Sequence, residues 1–250
     1  MSRAPTTATA TTSRSSTATG STTQSLTRTA TLTRLYTYSQ TASPLPSVDW
    51  LQHGMDARRS FVNSNEAVLT PGTVPGLLLK WRASIFGATI GSPLLVHGVA
   101  VAGGATIDLV LSGTEAGTLY ALDASSGAIV WSRNLGFTSL ACGDLPANSW
   151  GIGGTPLVLK APGVVYVSSQ GVLRALRLAD GSDVVGFSSP MLFDKTLLHN
   201  YGGLAYWDGA VYVAAGGECD NGVYRGSIYR VSATTGQLLS VSASEGTGPL

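Results

Sequence analysis

The chain has 250 residues, 31 of them Gly, and only 12% are charged. Many turns and much buried strand suit that composition, and a helical bundle does not. A net charge of +1 leaves no electrostatic footprint for nucleic acid.

Residues 1–48 are dominated by Thr, Ser and Ala and hold four Arg and no acid. They have too few apolar anchors to offset the entropy of ordering, so this stretch is expected to be disordered. An acid-free, Arg-containing, Ser/Thr-rich composition is also that of an organellar transit peptide, and equally that of a passive linker. No continuous apolar run of signal-peptide length occurs there.

Structure is expected to begin at Asp49-Trp50 and to lead in through residues 49–82. Ala83–Ile107 is 25 residues without a formal charge, which is long enough for a membrane span. Gly87, Gly91, Pro93, Gly98, Gly103 and Gly104 divide it into turn-bounded pieces, so no transmembrane segment is expected. Pro93–Val96 and Val99–Val101 read as strands.

Gly117–Trp131 then reads as two strands around a tight turn. Leu119 and Ala121 alternate with Tyr120 and Leu122, and Asp123–Gly127 is a turn cluster. The pattern returns at Gly171–Gly181 and at Gly226–Gly236, so the turn glycines Gly127, Gly181 and Gly236 keep a near-constant period. A strand-bearing unit at a fixed period is the signature of a propeller or another repeat array. The expected fold is all-β, a β-propeller of four-stranded blades at about 83–135, 152–188 and 202–243 within residues 83–250. Such units bury their faces only by stacking on neighbours.

Tyr120-Ala121-Leu122-Asp123-Ala124-Ser125-Ser126-Gly127-Ala128-Ile129-Val130-Trp131 resembles the tryptophan-docking repeat of the pyrroloquinoline-quinone (PQQ) type β-propellers. The later copies carry Val185 and Ser240 where the Trp would stand. Trp50, Gly54 and Asp56 resemble the Trp-x-x-x-Gly-x-Asp motif that precedes the first blade in that family. Members have about eight blades, so about three blades plus a lead-in strand imply an incomplete propeller. The resemblance further implies an N-terminal part of a quinoprotein alcohol or sugar dehydrogenase, with PQQ and Ca²⁺ as cofactors and a small-molecule substrate. A non-catalytic propeller scaffold for protein or ligand binding and a truncated, nonfunctional fragment are the alternatives. An open arc is expected to need missing blades or to self-associate. Family membership favours an extracytoplasmic location, periplasmic or secreted. The adjacent cysteine pair that catalytic members carry has no counterpart here.

Aligning Gly91, Gly154 and Gly203 brings Trp150, His199, Asn200 and Tyr201 to one mouth. An aromatic face with nearby donors suits a planar polar cofactor, and a packing joint between blades uses the same residues. Asp144 and Asp194 lie in the loops leading to that mouth and are the candidates for a general base, if burial raises their pKa. Glu218 and Asp220 flank Cys219 and could offer oxygens to Ca²⁺, or cap a solvated turn. Cys142 and Cys219 are either two buried thiols or a disulfide between loops of neighbouring repeats.

Overall fold

The structure is a computed structural model, and it describes residues 48–140, 142–143, 148–217, 219, 222 and 223–245. The expectation for residues 1–48 therefore falls, Val48 apart, outside the described residues. Apart from a single 3₁₀ turn at Val74–Gly76, the described regular structure is all strand.

The first sheet is an antiparallel meander of β1 (Leu94–Ala100), β2 (Thr106–Gly113), β3 (Thr118–Asp123) and β4 (Ile129–Asn134), in that order. The two strand pieces expected at Pro93–Val96 and Val99–Val101 are one strand, Leu94–Ala100, with an irregularity between Val96 and Val99, at Gly98. Period-two alternation gives the sheet one apolar row: Leu94 pairs Leu111, Leu111 pairs Ala121 and Ala121 pairs Trp131, all buried. A short hairpin, β5 (Thr138–Ser139) and β6 (Ser149–Trp150), follows.

The second sheet holds β7 (Leu157–Leu159), β8 (Val164–Ser169) and β9 (Val172–Arg177). Where its fourth strand would run, single bridges join Leu176 to Asp183 and Val172 to Met191. After the short β10 (Leu198–His199), the third sheet is built from β11 (Ala205–Trp207), β12 (Ala210–Gly217), β13 (Ser227–Ser232) and β14 (Leu238–Ala243). β10 pairs the far end of β12.

The second sheet is packed on both faces. Val158, Val165, Val167 and Leu176 share one core with the apolar row of the first sheet. Leu157, Tyr166, Leu173 and Ala175 share the other with Val211, Val213, Tyr229 and Val231 of the third. That explains why all six residues of β8 are buried with no apolar/polar alternation. The three sheets are successive blades of a partial β-propeller.

The blade-to-blade contact repeats. In each blade the third strand ends in a turn whose glycine N–H donates four residues back: Gly127 to Asp123, Gly181 to Arg177, Gly236 to Ser232. These glycines have φ of +76°, +71° and +75°, the left-handed region where a side chain is strained. A carbonyl three residues before each glycine accepts a donor from the preceding element. Trp81 Nε1 donates to Ala124 at 3.0 Å, Trp131 Nε1 to Leu178 at 3.0 Å, and Tyr166 Oη to Ala233 at 2.7 Å. The indoles of Trp81 and Trp131 also lie over Gly127 and Gly181.

The lead-in segment crosses the inner ends of all three blades. Trp50 exchanges backbone bonds with Leu95, Leu51 O accepts from Val158 N, and the Arg59 guanidinium donates to Gly203 O. Asp56 shapes the bend, its carboxylate accepting from the N–H groups of Arg58 and Ser60. Gly54, at φ +73°, lets the chain fold back so closely that a Cβ there would stand 2.7 Å from the Arg59 Cα.

Candidate functional site

Strand pairing fixes which positions are equivalent in the three blades. Ala121, Ala175 and Arg230 hold one position in the third strands. Their partners are Leu111, Tyr166 and Tyr212, and the partners of those are Leu94, Leu157 and Ala205. Counting back three residues, Gly91, Gly154 and Gly202 are equivalent. The alignment on Gly203 is therefore shifted by one residue, because the third blade has one residue fewer between its Gly-Gly pair and its first strand: Leu204 alone, against Thr155 and Pro156 in the second. Asn200 consequently matches Ile152, and Tyr201 matches Gly153.

The aromatic residues nevertheless meet. The Trp150 ring centroid lies 5.2 Å from His199 and 4.4 Å from Tyr201, tilted at 52° and 58°. Trp150 is placed by the β5–β6 hairpin, and His199 by the pairing of β10 with Gly216 of β12. The Trp150 indole lies against Gly153 of its own loop, where a Cβ would collide with the ring. Trp150, His199 and Asn200 are buried, and Tyr201 is 41% exposed. Tyr201 Oη donates to Gly217 O at 3.4 Å.

Asn200 spends both amide hydrogens on the backbone, donating to Gly202 O at 3.0 Å and to Ala214 O at 2.8 Å. Its Oδ1 is buried without a partner, as is Ser168 Oγ in the neighbouring blade. Burial depresses the His199 pKa to about 4, so the imidazole is neutral at pH 7. The crevice between Trp150, Ser168, Gln170, Phe193, His199 and Asn200 has no room even for a water molecule. Ligand pockets start at about 300 Å³. A tricyclic quinone does not fit there: the Trp150 ring lies against Gly153 and in tilted contact with His199 and Tyr201.

Asp194 is exposed and lies away from a raised-pKa role. Its carboxylate accepts from Thr196 N and Thr196 Oγ1, and the backbone bond leads in holding its pKa below the ordinary value. That is the opposite of the shift a poised general base requires. Asp144, Glu218 and Asp220 lie outside the described residues. Among the described residues no group of three or more His, Cys, Asp and Glu is placed to hold a metal ion. No described helix is long and apolar enough to cross a membrane.

Cys142 and Cys219 form a disulfide with Cα atoms 5.3 Å apart. It joins the loop ahead of β6, which carries Trp150, to the loop after β12, whose Gly216 and Gly217 carry His199 and Tyr201. The bond thus spans the two sides of the aromatic cluster.

Glu115, between Gly113 and Gly117, carries no motif that marks it in the sequence. It is 2% exposed and both carboxylate oxygens lack partners. Its N–H donates to Ala88 O, and Gly151 of the next blade packs on its backbone. These neighbouring loops, distant in sequence, close over it. Burial raises its pKa.

No protein-family model matches the chain, and no curated protein does. Solved structures do. The chain is similar to quinohemoprotein alcohol dehydrogenase ADHIIG from Pseudomonas putida HK5, at 19% identity and a TM-score of 0.55 over 78% of this chain and 26% of that one. It is similar to the quinohemoprotein alcohol dehydrogenase of Comamonas testosteroni, at 19% identity and a TM-score of 0.54 over 79% and 27%. BamB from Moraxella catarrhalis matches at 24% identity and a TM-score of 0.45 over 66% and 43%. The chain spans less than half the length of each. The likeness establishes the fold, a PQQ-like β-propeller.

Proposed function

We propose that these blades are a structural and binding segment of a PQQ-like propeller, and that the Trp150 cluster is a joint between blades and not a quinone site. The observation that carries this reading is the packing of Trp150: buried, seated on Gly153 and covered by His199 and Tyr201. A neutral His199 has no positive charge to set against a cofactor carboxylate, and the Asn200 amide hydrogens are used on backbone. The partner is a protein or another ligand held on the rim. The Cys142–Cys219 disulfide favours an oxidising, extracytoplasmic compartment.

A second reading, a segment of a PQQ-dependent dehydrogenase, is favoured by Tyr201. It is 41% exposed and tethered by one long hydrogen bond, so its ring could swing off Trp150. One experiment separates the two. The chain is incubated with PQQ and Ca²⁺, passed through gel filtration, and assayed for quinone absorbance and dye-linked alcohol oxidation. The joint reading expects neither. Stoichiometric quinone retention that is lost in Trp150→Ala would overturn it.

A further inference from the structure

We infer that Tyr212 is the docking donor of the third blade, poised for the turn carbonyl of a further four-stranded repeat. The third sheet has one packed face and one open face. Val211, Val213, Tyr229 and Val231 are buried against the second blade. The opposite face presents Trp207 at 71% and Ile228 at 50% exposure, with Tyr212 and Arg230 between them. Apolar area of this kind on a sheet face marks an interface.

The register says what that interface is. Trp131, Val185 and Ser240 share one position in or near the fourth strand, and Leu111, Tyr166 and Tyr212 share one in the second. Where the Trp is kept, the second-strand position is Leu111, and Trp131 supplies the donor to the next blade. Where the Trp is lost to Val185, which is fully exposed, the second-strand position is Tyr166, and its hydroxyl supplies the donor. The third blade repeats the second arrangement, Ser240 with Tyr212. Tyr212 Oη has no hydrogen-bond partner among the described residues. In the second blade a phenol stands in for the indole as donor, and the third blade carries the same combination, a Tyr in the second strand with no Trp in the fourth.

A second copy of this chain does not fit as the occupant. The turn it would present is that of its first blade, and the Ala124 carbonyl there already accepts from Trp81 Nε1 and Lys80 Nζ. The occupant is a repeat whose turn carbonyl has no donor of its own chain; a separate copy of the third blade meets this, since its Ala233 carbonyl, taken here by Tyr166 Oη, would come without a Tyr166.

That turn provides the probe. A second copy of residues 202–245 is appended to the full 250-residue chain, which sets an Ala233-type carbonyl opposite Tyr212. We expect Trp207 to lose acrylamide quenching, read against a Trp207→Phe background. Tyr212→Phe should lower the folded-to-unfolded ratio of the extended chain about tenfold, the scale of one buried hydrogen bond. It should be neutral in the unextended chain, where Tyr166→Phe serves as the reference loss. The inference is overturned if Trp207 stays as accessible as before, if Tyr212→Phe is neutral in the extended chain, or if it already destabilises the unextended one.

Discussion

Trp131 of the first blade and Leu178 of the second are 47 residues apart, and the indole Nε1–H of one donates to the carbonyl of the other at 3.0 Å. The ring lies over Gly181, where a Cβ would come within 2.6 Å of it. Trp131→Ala removes a buried aromatic and leaves the Leu178 carbonyl unpaired, so it should cost about 3–5 kcal/mol. Trp131→Phe keeps much of the area and loses the donor, which costs about 1–2 kcal/mol. Urea midpoints of the two variants check the order.

Gly127 and Gly163 both have positive φ, +76° and +68°. At Gly127 an added methyl would also meet the Trp81 ring at 2.5 Å, and at Gly163 it would meet nothing within 4 Å. Gly163→Ala should cost only the backbone strain, about 1–2 kcal/mol. Gly127→Ala should cost more and should also expose Trp81, seen as a red shift in emission. Equal losses at both positions would mean that the indole does not dock there.

The Cys142–Cys219 bond closes 77 residues. On the chain-entropy account it stabilises by about 4 kcal/mol. Cys142→Ser with Cys219→Ser should lower the denaturation midpoint accordingly and raise the accessibility of Trp150 to quencher. Thiol titration of the unreduced, unfolded wild-type chain should find no free cysteine.

His199 and Glu115 make opposite contributions to pH dependence. With the His199 pKa depressed to about 4 from 6.5, the unfolded chain binds the proton more readily, so its share of stability is lost as pH falls from about 6.5 to 4. With the Glu115 pKa raised above 4.5, the folded chain holds the proton more tightly, so stability falls as pH rises past 4.5. His199→Phe should flatten the first slope. Glu115→Gln should remove the second and raise stability at pH 7, on the order of 1 kcal/mol. Urea midpoints across pH 4–8 distinguish them, since a variant that merely loosens packing would shift every point alike.

Alternation and the recurring turn glycine were enough to place the strands around Leu119, Leu173 and Ile228, because period two and positive φ are local properties of the chain. They could not show the second blade's missing fourth strand, where Val185 points to solvent and the docking donor comes from Tyr166 instead. The meeting of Trp150 with His199 and Tyr201 was legible from the repeat, although the alignment behind it was one residue out in the third blade. Glu115 was not legible at all: its burial belongs to the folded chain, where Ala88 and Gly151 come against its backbone from distant parts of the sequence.

By itself, then, the sequence determined a repeating all-β chain whose glycine turns set blade spacing, since backbone freedom and apolar period are written residue by residue. Which carbonyl each blade offers, which side chain reaches it, and whether an aromatic cluster is an open face or a closed joint were decided only when the sheets stacked. Burial and hydrogen-bond partners belong to neighbours that the linear order does not name.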